Sequence, residues 1–172
     1  MGFRLLIPFL LIRFAMLPFL NKEAAKRASH FPLLRETEKV WYWVYQFSAT
    51  AMYILPFFLK IRIAPPALFC CGIAAYSAGT VLLTIALINF AAPAESGINK
   101  NGLYRLSRNP IYVSYFVFFI GCVLLTQSPL LLGFLLALQI STHRIILAEE
   151  GWCVETFGDE YLDYMNSVRR YI

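Results

Sequence analysis

Five long apolar runs dominate this sequence and restrict the folds that it can adopt. They cover residues 3–20, 41–59, 66–92, 110–126 and 130–148, and polar segments separate them. A helix of about 20 apolar residues crosses the hydrocarbon layer of a bilayer, which is roughly 30 Å thick. Inside that layer a chain must satisfy its own backbone hydrogen bonds, which favours helices. The sequence therefore predicts an all-α integral membrane protein with about five transmembrane helices.

Composition supports the membrane class and argues against two kinds of site. Hydrophobic residues make up 59% of the 172 residues, more than is usual in soluble domains. The formal net charge is +5, but the basic residues flank the apolar runs and form no single stripe, so we predict no nucleic-acid partner. The four cysteines have neither zinc-ligand spacing nor the pattern of a disulfide framework, and we predict no metal site.

The length suits a single membrane domain over residues 1–172. Residues 1–92 are predicted to hold three spans and a cytoplasmic loop. Residues 93–172 are predicted to hold a second polar loop, a helical hairpin of spans four and five, and a C-terminal tail. Only Gln127, Ser128 and Pro129 separate the two arms of the hairpin. After Glu149 the apolar side chains recur at helical spacing, which predicts an amphipathic tail that Gly158 divides in two.

The basic residues predict how the chain lies in the membrane. With five spans, Arg4, Lys60 and Arg62 fall on one side. The other side carries Lys22, Lys26, Arg27, Arg35, Lys39, Lys100, Arg105, Arg108, Arg144, Arg169 and Arg170. Loops rich in Lys and Arg stay in the cytoplasm. This places the loops before the second and fourth spans, and the tail, in the cytoplasm, with the N-terminus outside.

Two features inside the runs concern helix packing. Arg13 interrupts the first run, and we expect it to snorkel to the interface or to face other helices. In the third run Cys71, Ala75 and Gly79 recur at every fourth residue, which predicts a face that another helix can approach closely.

The predicted cytoplasmic ends of spans three, four and five should bring polar groups together. These are Asn89, the loop 95–109, Tyr112, Arg144 and Glu149. Such a site offers an amide, phenols, cations, a carboxylate and the free N–H groups at the start of a helix. It would open to water on one side and to lipid on the other, which suits a polar cofactor that meets an apolar substrate.

The order of motifs in this half of the chain resembles a known family. Residues 102–112 read Gly-Leu-Tyr-Arg-Leu-Ser-Arg-Asn-Pro-Ile-Tyr, a hairpin follows, and Glu149-Glu150 precedes a Phe-Gly-Asp-Glu-Tyr-Leu-Asp-Tyr stretch at 157–164. Together they resemble the isoprenylcysteine carboxyl methyltransferases and the related phospholipid methyltransferases. The similarity covers roughly residues 89–172. It implies an integral membrane methyltransferase that uses S-adenosylmethionine, without the Gly-rich loop of soluble methyltransferases.

The resemblance also implies roles for particular residues. The family's cofactor contacts correspond here to Asn89, Ser96, Gly97, Ile98, Asn99, Tyr104, Asn109, Pro110, Ile111, Tyr112 and Glu149. A family arginine that lies one turn before the glutamate is associated with the substrate's carboxylate. Ile145 occupies that position here, and the nearest arginine is Arg144, one residue out of helical register, which becomes the predicted substrate contact.

Besides the change at Ile145, the sequence departs from the family pattern at a position that could transfer a proton. Asn109 replaces the histidine of the family's Arg-His-Pro, and an amide cannot act as a base near neutral pH. No catalytic residue is therefore predicted, and catalysis should depend on alignment. An acceptor carboxylate is favoured because it is already ionised at neutral pH. The implied acceptor is a lipophilic small molecule or a prenylated compound.

Alternatives remain open for single residues and for the whole chain. Arg144 could snorkel, Arg108 could hold anionic headgroups, and Asn89 could bond only to another helix. The whole chain could instead methylate a phospholipid or small amine, or be a non-catalytic membrane packing or assembly protein. A membrane reductase is a weaker possibility, since no nicotinamide-binding feature is visible.

Overall fold

Helices make up all the regular structure that the computed structural model describes, which covers residues 1–28, 36–92 and 97–172. In chain order they are α1 (Gly2–Leu20), α2 (Lys22–Ala28), α3 (Glu36–Ile54), α4 (Pro66–Ala91), α5 (Pro110–Thr126), α6 (Pro129–Phe157) and α7 (Asp159–Ser167). Two short 3-10 helices lie outside these elements: Leu55–Phe57 follows α3, and Gly102–Arg105 lies in the loop before α5. The all-α prediction is confirmed for these ranges.

Prolines mark the starts of three helices. Pro66, Pro110 and Pro129 are the first residues of α4, α5 and α6. Proline is favoured there because the first N–H groups of a helix have no partner within the helix, and because its φ angle already suits a helix. The predicted starts of the third and fourth runs at residues 66 and 110 are therefore correct.

The first helix changes type along its length. Its middle segment, Leu11–Met16, is a π-helix and contains Arg13. Phe9, one turn earlier, is only 1% exposed, and its ring lies 5.0–6.0 Å from the rings of Tyr53, Tyr115, Phe118 and Phe119. This cluster attaches α1 to α3 and α5.

The α4 and α5 helices pack with their backbones in close contact. A Cβ atom added to Gly79 would collide with the backbone of Phe118, and one added to Gly121 would collide with the backbone of Tyr76. Gly72 is likewise buried against Leu125. The prediction of a small-residue face is right for Gly79 but wrong for Cys71, which is exposed. The contact face repeats at Gly72 and Gly79 because seven residues are about two helical turns.

The α5–α6 hairpin and the divided tail are both as predicted. Gln127 adopts a left-handed conformation between the arms, and Ser128 Oγ accepts a hydrogen bond of 3.2 Å from the backbone N–H of Leu131. The α6 helix then continues past the predicted end of the span at residue 148 and reaches Phe157. Gly158, with φ +56°, separates it from α7.

Among the described residues, three helices are long and apolar enough to cross a membrane, namely α1, α4 and α6, and α5 is apolar but shorter. The α3 helix, which carries charged residues at its start and packs along α6, is not among them. The chain is therefore a helical membrane protein, whereas the number of five spans remains a prediction.

Candidate active site

A cavity of about 840 Å³ lies where α1, α3, α5 and α6 meet the loop before α5 and the α7 helix. About half of its lining residues are aromatic, namely Phe14, Tyr45, Tyr53, Phe90, Tyr104, Tyr112, Tyr115, Trp152, Phe157, Tyr161 and Tyr164. Its polar side chains are Arg13, Gln46, Asn99, Arg108, Asn109, Glu149 and Glu150. A volume of this size is typical of sites for cofactors and drug-sized ligands. The mixed wall suits a ligand or a pair of ligands with both polar and apolar parts.

Most of the predicted cofactor contacts lie on the wall of this cavity. They are Gly97, Ile98, Asn99, Tyr104, Asn109, Ile111, Tyr112 and Glu149. Asn89, Pro110 and Arg144 do not line it. Ser96 lies outside the described residues. The helix ends and the loop therefore converge as expected, while the assignment of these residues to a cofactor stays a prediction.

A phenol and a carboxylate are paired on the wall. Tyr112 lies near the start of α5, and its hydroxyl donates a hydrogen bond of 2.9 Å to Glu149 Oε1 on α6. Both residues line the cavity. The hydrogen bond fixes the position of the carboxylate, and the remaining lone pairs of its oxygens can accept hydrogen bonds or face a positive charge.

The neighbouring carboxylate of Glu150 is held in a closed ion network. Arg108 Nη2 lies 3.0 Å from Glu150 Oε1, and Arg170 Nη2 lies 2.8 Å from Oε2. The Arg108 and Glu150 side chains are only 7% and 5% exposed. Arg108 also donates to the carbonyl oxygens of Met165 and Val168 at 2.7 and 3.0 Å. This network ties the loop before α5, the α6 helix and the C-terminal tail together.

The loop that forms one wall is shaped by α4. Asn89 Oδ1 accepts a hydrogen bond of 3.0 Å from the backbone N–H of Leu103. Gly102 has φ +49°, and a Cβ atom there would collide with the Asn89 side chain. A residue with a side chain would thus be excluded both by strain and by contact. Asn89 therefore bonds to this loop, whereas the alternative predicted for it was a bond to another helix.

The α7 helix of the C-terminal tail also bonds to the loop before α5. Tyr164 donates a hydrogen bond of 2.6 Å from its hydroxyl to the carbonyl oxygen of Tyr104. Burial raises the pKa of the Tyr164 hydroxyl to about 12, so it stays protonated and able to donate at neutral pH. Burial also raises the pKa of Tyr104, which lies on the cavity wall.

Asn99 places a buried polar atom on this wall. Within the part of the chain that the structure describes, no group donates a hydrogen bond to its Oδ1 atom. A buried acceptor without a partner costs free energy, on the order of 1–3 kcal/mol. Asn99 lines the cavity. A ligand that donates a hydrogen bond there would remove this cost.

Arg144 and His143 do not line the described cavity. The Arg144 guanidinium carbon lies 5.3 Å from the centre of the Trp41 ring, and this arginine is exposed. His143 Nδ1 lies 2.6 Å from the Tyr171 hydroxyl. The predicted substrate contact at Arg144 would require a substrate outside the described cavity wall or a movement of this side chain.

Several cavity residues were not predicted from the sequence. Arg13 had no assigned role, and Arg108 was considered only as a headgroup anchor. The spacing of the α3 tyrosines could have shown that they share one helix face, because Tyr45, Ala49 and Tyr53 recur at every fourth residue. In the structure all three line the cavity. The Arg108–Glu150 pair had no local signal, since its members lie 42 positions apart.

Comparison with known proteins identifies the family. The phospholipid methyltransferase family model matches residues 66–160. Over 70 residues the chain is 39% identical to the protein-S-isoprenylcysteine O-methyltransferase of Saccharomyces cerevisiae. That stretch covers 40% of this chain and only 29% of the yeast protein. No solved structure matches the chain. Because the family model covers more than half of the sequence, the chain belongs to the phospholipid methyltransferase family.

Proposed function

We propose that this protein is an integral membrane methyltransferase that transfers a methyl group from S-adenosylmethionine to a lipophilic acceptor. The observation that carries the proposal is the aromatic-rich cavity, which the hydrogen-bonded Tyr112–Glu149 pair, Asn99 and other residues of the loop before α5 line together. The match of the chain to the phospholipid methyltransferase family supports methyl transfer as the reaction. The similarity to the yeast enzyme supports a prenylated acceptor.

The polar side chains of the cavity fit this cofactor. Glu149 can accept hydrogen bonds from an amino group or face a positive charge. The unpartnered Oδ1 of Asn99 can accept another hydrogen bond, and Tyr104, Asn109 and Ile111 complete the same wall. When bound, S-adenosylmethionine supplies an electrophilic methyl group: an acceptor lone pair forms the new bond to the methyl carbon, the carbon–sulfur bond breaks, and its electron pair remains on a neutral sulfur.

The protein's own residues would act by alignment and exclusion of water. Aromatic side chains from α3, α5 and α6 surround the cavity, and the loop before α5 and the α7 helix cover it. Holding two reactants in line can lower the activation barrier by roughly 7–11 kcal/mol. Asn109 lies at the position of the family's histidine, and it cannot remove a proton near neutral pH. This favours an acceptor that is already deprotonated, such as a carboxylate.

We propose a topology to go with this function. Five helical spans with an external N-terminus would place the loop before α5 and the tail at the cytoplasmic face, because these segments are rich in Lys and Arg. The cavity would then open at the cytoplasmic interface. In a variant whose four native cysteines are replaced by serine, accessibility of single cysteines introduced at Arg4 and Arg105 to an impermeant thiol reagent tests this orientation. Labelling of Arg105→Cys from outside intact cells would contradict it.

A lipid amine is the second candidate acceptor. The description of the family as phospholipid methyltransferases favours it. An amine must lose a proton before it attacks. Two carboxylates line the cavity, and because Glu150 is paired with Arg108 and Arg170, Glu149 is the one that could bind an ammonium group.

The product distinguishes the two acceptors. Protein in lipid nanodiscs is incubated with S-adenosylmethionine that carries a labelled methyl group, and with either a farnesylated cysteine or phosphatidylethanolamine. We expect label on the farnesylated cysteine that mild base releases as methanol, because methyl esters hydrolyse readily. Base-stable label on phosphatidylethanolamine would favour the amine. No transfer to either compound, nor to a panel of other lipophilic acids and amines, would contradict the proposed reaction.

A further inference from the structure

The first helix places an arginine in the same cavity. Arg13 belongs to the π-helical segment Leu11–Met16 and lines the cavity together with Phe14. Its guanidinium carbon lies 5.8 Å from the centre of the Phe14 ring. The phenols of Tyr45, Tyr53 and Tyr115 line the same cavity. The arginine therefore shares the cavity wall with three phenols.

The position of this group relative to the Tyr112–Glu149 pair matters for a reaction between two ligands. Tyr115 lies three residues after Tyr112 on α5, so the two positions are about 4.5 Å apart along the helix axis. Tyr112 is nearer to the loop, and Tyr115 is further into the apolar helix. The Glu149 carboxylate is thus bonded to Tyr112 at the end of the cavity near the loop, and the Arg13 guanidinium lines the same cavity, as does the deeper Tyr115.

A cation inside an apolar span is costly, and such residues usually face a functional cavity or pathway. Arginine is also suited to anionic oxygens, because its planar group can donate two parallel hydrogen bonds to one carboxylate. Arg144 was predicted for this task, but its guanidinium lies over Trp41 and outside the cavity wall.

We propose that Arg13 binds the carboxylate of the methyl acceptor and thereby selects lipophilic acids over neutral lipids. This inference rests on the proposed function and adds the residue that recognises the acceptor. The phenols of Tyr45, Tyr53 and Tyr115 would surround the same headgroup, while the aromatic wall would hold its apolar chain. The opposite charges of Glu149 and Arg13 would orient a cationic methyl donor and an anionic acceptor towards each other.

Binding without turnover tests the proposal. Protein in nanodiscs is first saturated with S-adenosylhomocysteine, the demethylated product, and then titrated with N-acetyl-farnesylcysteine or its carboxamide, which has the same shape but no charge. Trp152 lies on the cavity wall, so tryptophan fluorescence can report binding. We expect the wild type to bind the carboxylate about tenfold more tightly than the carboxamide, as for hydrogen bonds to a charged group.

Substitutions assign the preference to one arginine. Arg13→Gln is expected to bind both compounds equally, and Arg13→Lys to keep part of the preference. The matched controls are Arg144→Gln and Arg4→Gln, which change exposed arginines on α6 and α1 and should keep the full preference. An unchanged preference in Arg13→Gln would overturn the proposal. Its loss in Arg144→Gln would assign acceptor binding to that residue and would overturn the proposal as well.

The first step of the experiment separates two kinds of failure. If the wild type does not bind S-adenosylhomocysteine, the proposed function itself fails, and this inference fails with it. If it binds the product but shows no preference for the carboxylate, or does not bind the carboxylate, only the role of Arg13 is contradicted. Product binding by Arg13→Gln and Arg13→Lys shows that both variants are folded.

Discussion

Glu149 and Glu150 are adjacent on α6, yet they lie in different environments. Glu150 is 4% exposed and forms ion pairs with Arg108 and Arg170, which hold the loop and the tail in place. Glu149 is held by the Tyr112 hydroxyl and faces the cavity. Both carboxylates line the cavity, but that of Glu150 is paired with two arginines, and we propose that of Glu149 as the ligand-binding one. The comparison teaches that residue type and sequence position alone do not separate a structural carboxylate from a candidate binding one.

The largest expected effect concerns Glu150. Glu150→Gln leaves the nearly buried Arg108 without its charged partner, and breaking a buried ion pair in this way costs about 3–5 kcal/mol. We expect a clear fall in the unfolding temperature in detergent, together with loss of ligand binding as the loop detaches from the tail. A normal unfolding temperature in this variant would contradict the structural role of the network.

Substitution of Arg170 should have a smaller effect. Its side chain is 30% exposed, and Arg170→Met leaves the Arg108–Glu150 pair in place. We expect a loss of about 1 kcal/mol of folding stability, near the upper range for partly exposed pairs, measured as a smaller fall in the unfolding temperature. If this variant is as unstable as Glu150→Gln, Arg170 and not Arg108 is the main partner of the carboxylate.

Substitution of Tyr112 should affect the Glu149 carboxylate and leave the ion network around Glu150 intact. Tyr112→Phe removes the hydrogen bond to Glu149 but keeps the ring, so we expect about 1 kcal/mol weaker binding of S-adenosylmethionine, a factor of about five. The unfolding temperature should change little. Calorimetric titration measures the affinity, and an unchanged affinity would show that this hydrogen bond does not position the carboxylate for the ligand.

The smallest effect is expected for a surface pair on the same side of the molecule. Lys100 Nζ lies 2.8 Å from Glu160 Oε1, but the two side chains are 37% and 46% exposed. Lys100→Met should change stability by less than about 0.5 kcal/mol and leave ligand affinity unchanged. It serves as a control for loss of one charge, and a large fall in unfolding temperature would show that exposure does not separate the two classes of ion pair.

Much of the fold could be predicted because it depends on local sequence. The ends of α5 follow from Pro110 at its start and from Gln127-Ser128-Pro129 after it, and the break in the tail follows from Gly158. The close contact of α4 with α5 was only partly predicted. Helical spacing alone does not show that the face of Gly72 and Gly79, and not that of Cys71, meets the neighbour.

The candidate site was likewise predicted only where it depends on local sequence. The predicted residues Tyr104, Asn109, Tyr112 and Glu149 line the cavity because they lie in one loop and at the two helix ends beside it. The positions of Arg13 and of the Arg108–Glu150–Arg170 network depend on contacts between distant parts of the chain. No local pattern encodes such contacts, so these residues could be recognised only in the folded structure.

The measurement that tests the account most directly is calorimetric titration of S-adenosylmethionine into the wild type, Glu149→Gln and Glu155→Gln. Glu155 lies on the same helix and is exposed, so its variant is a matched control. We predict saturable binding by the wild type and by Glu155→Gln, and at least about tenfold weaker binding by Glu149→Gln at an unchanged unfolding temperature. No binding by the folded wild type, or equal affinity in all three proteins, would contradict a cofactor site at Glu149.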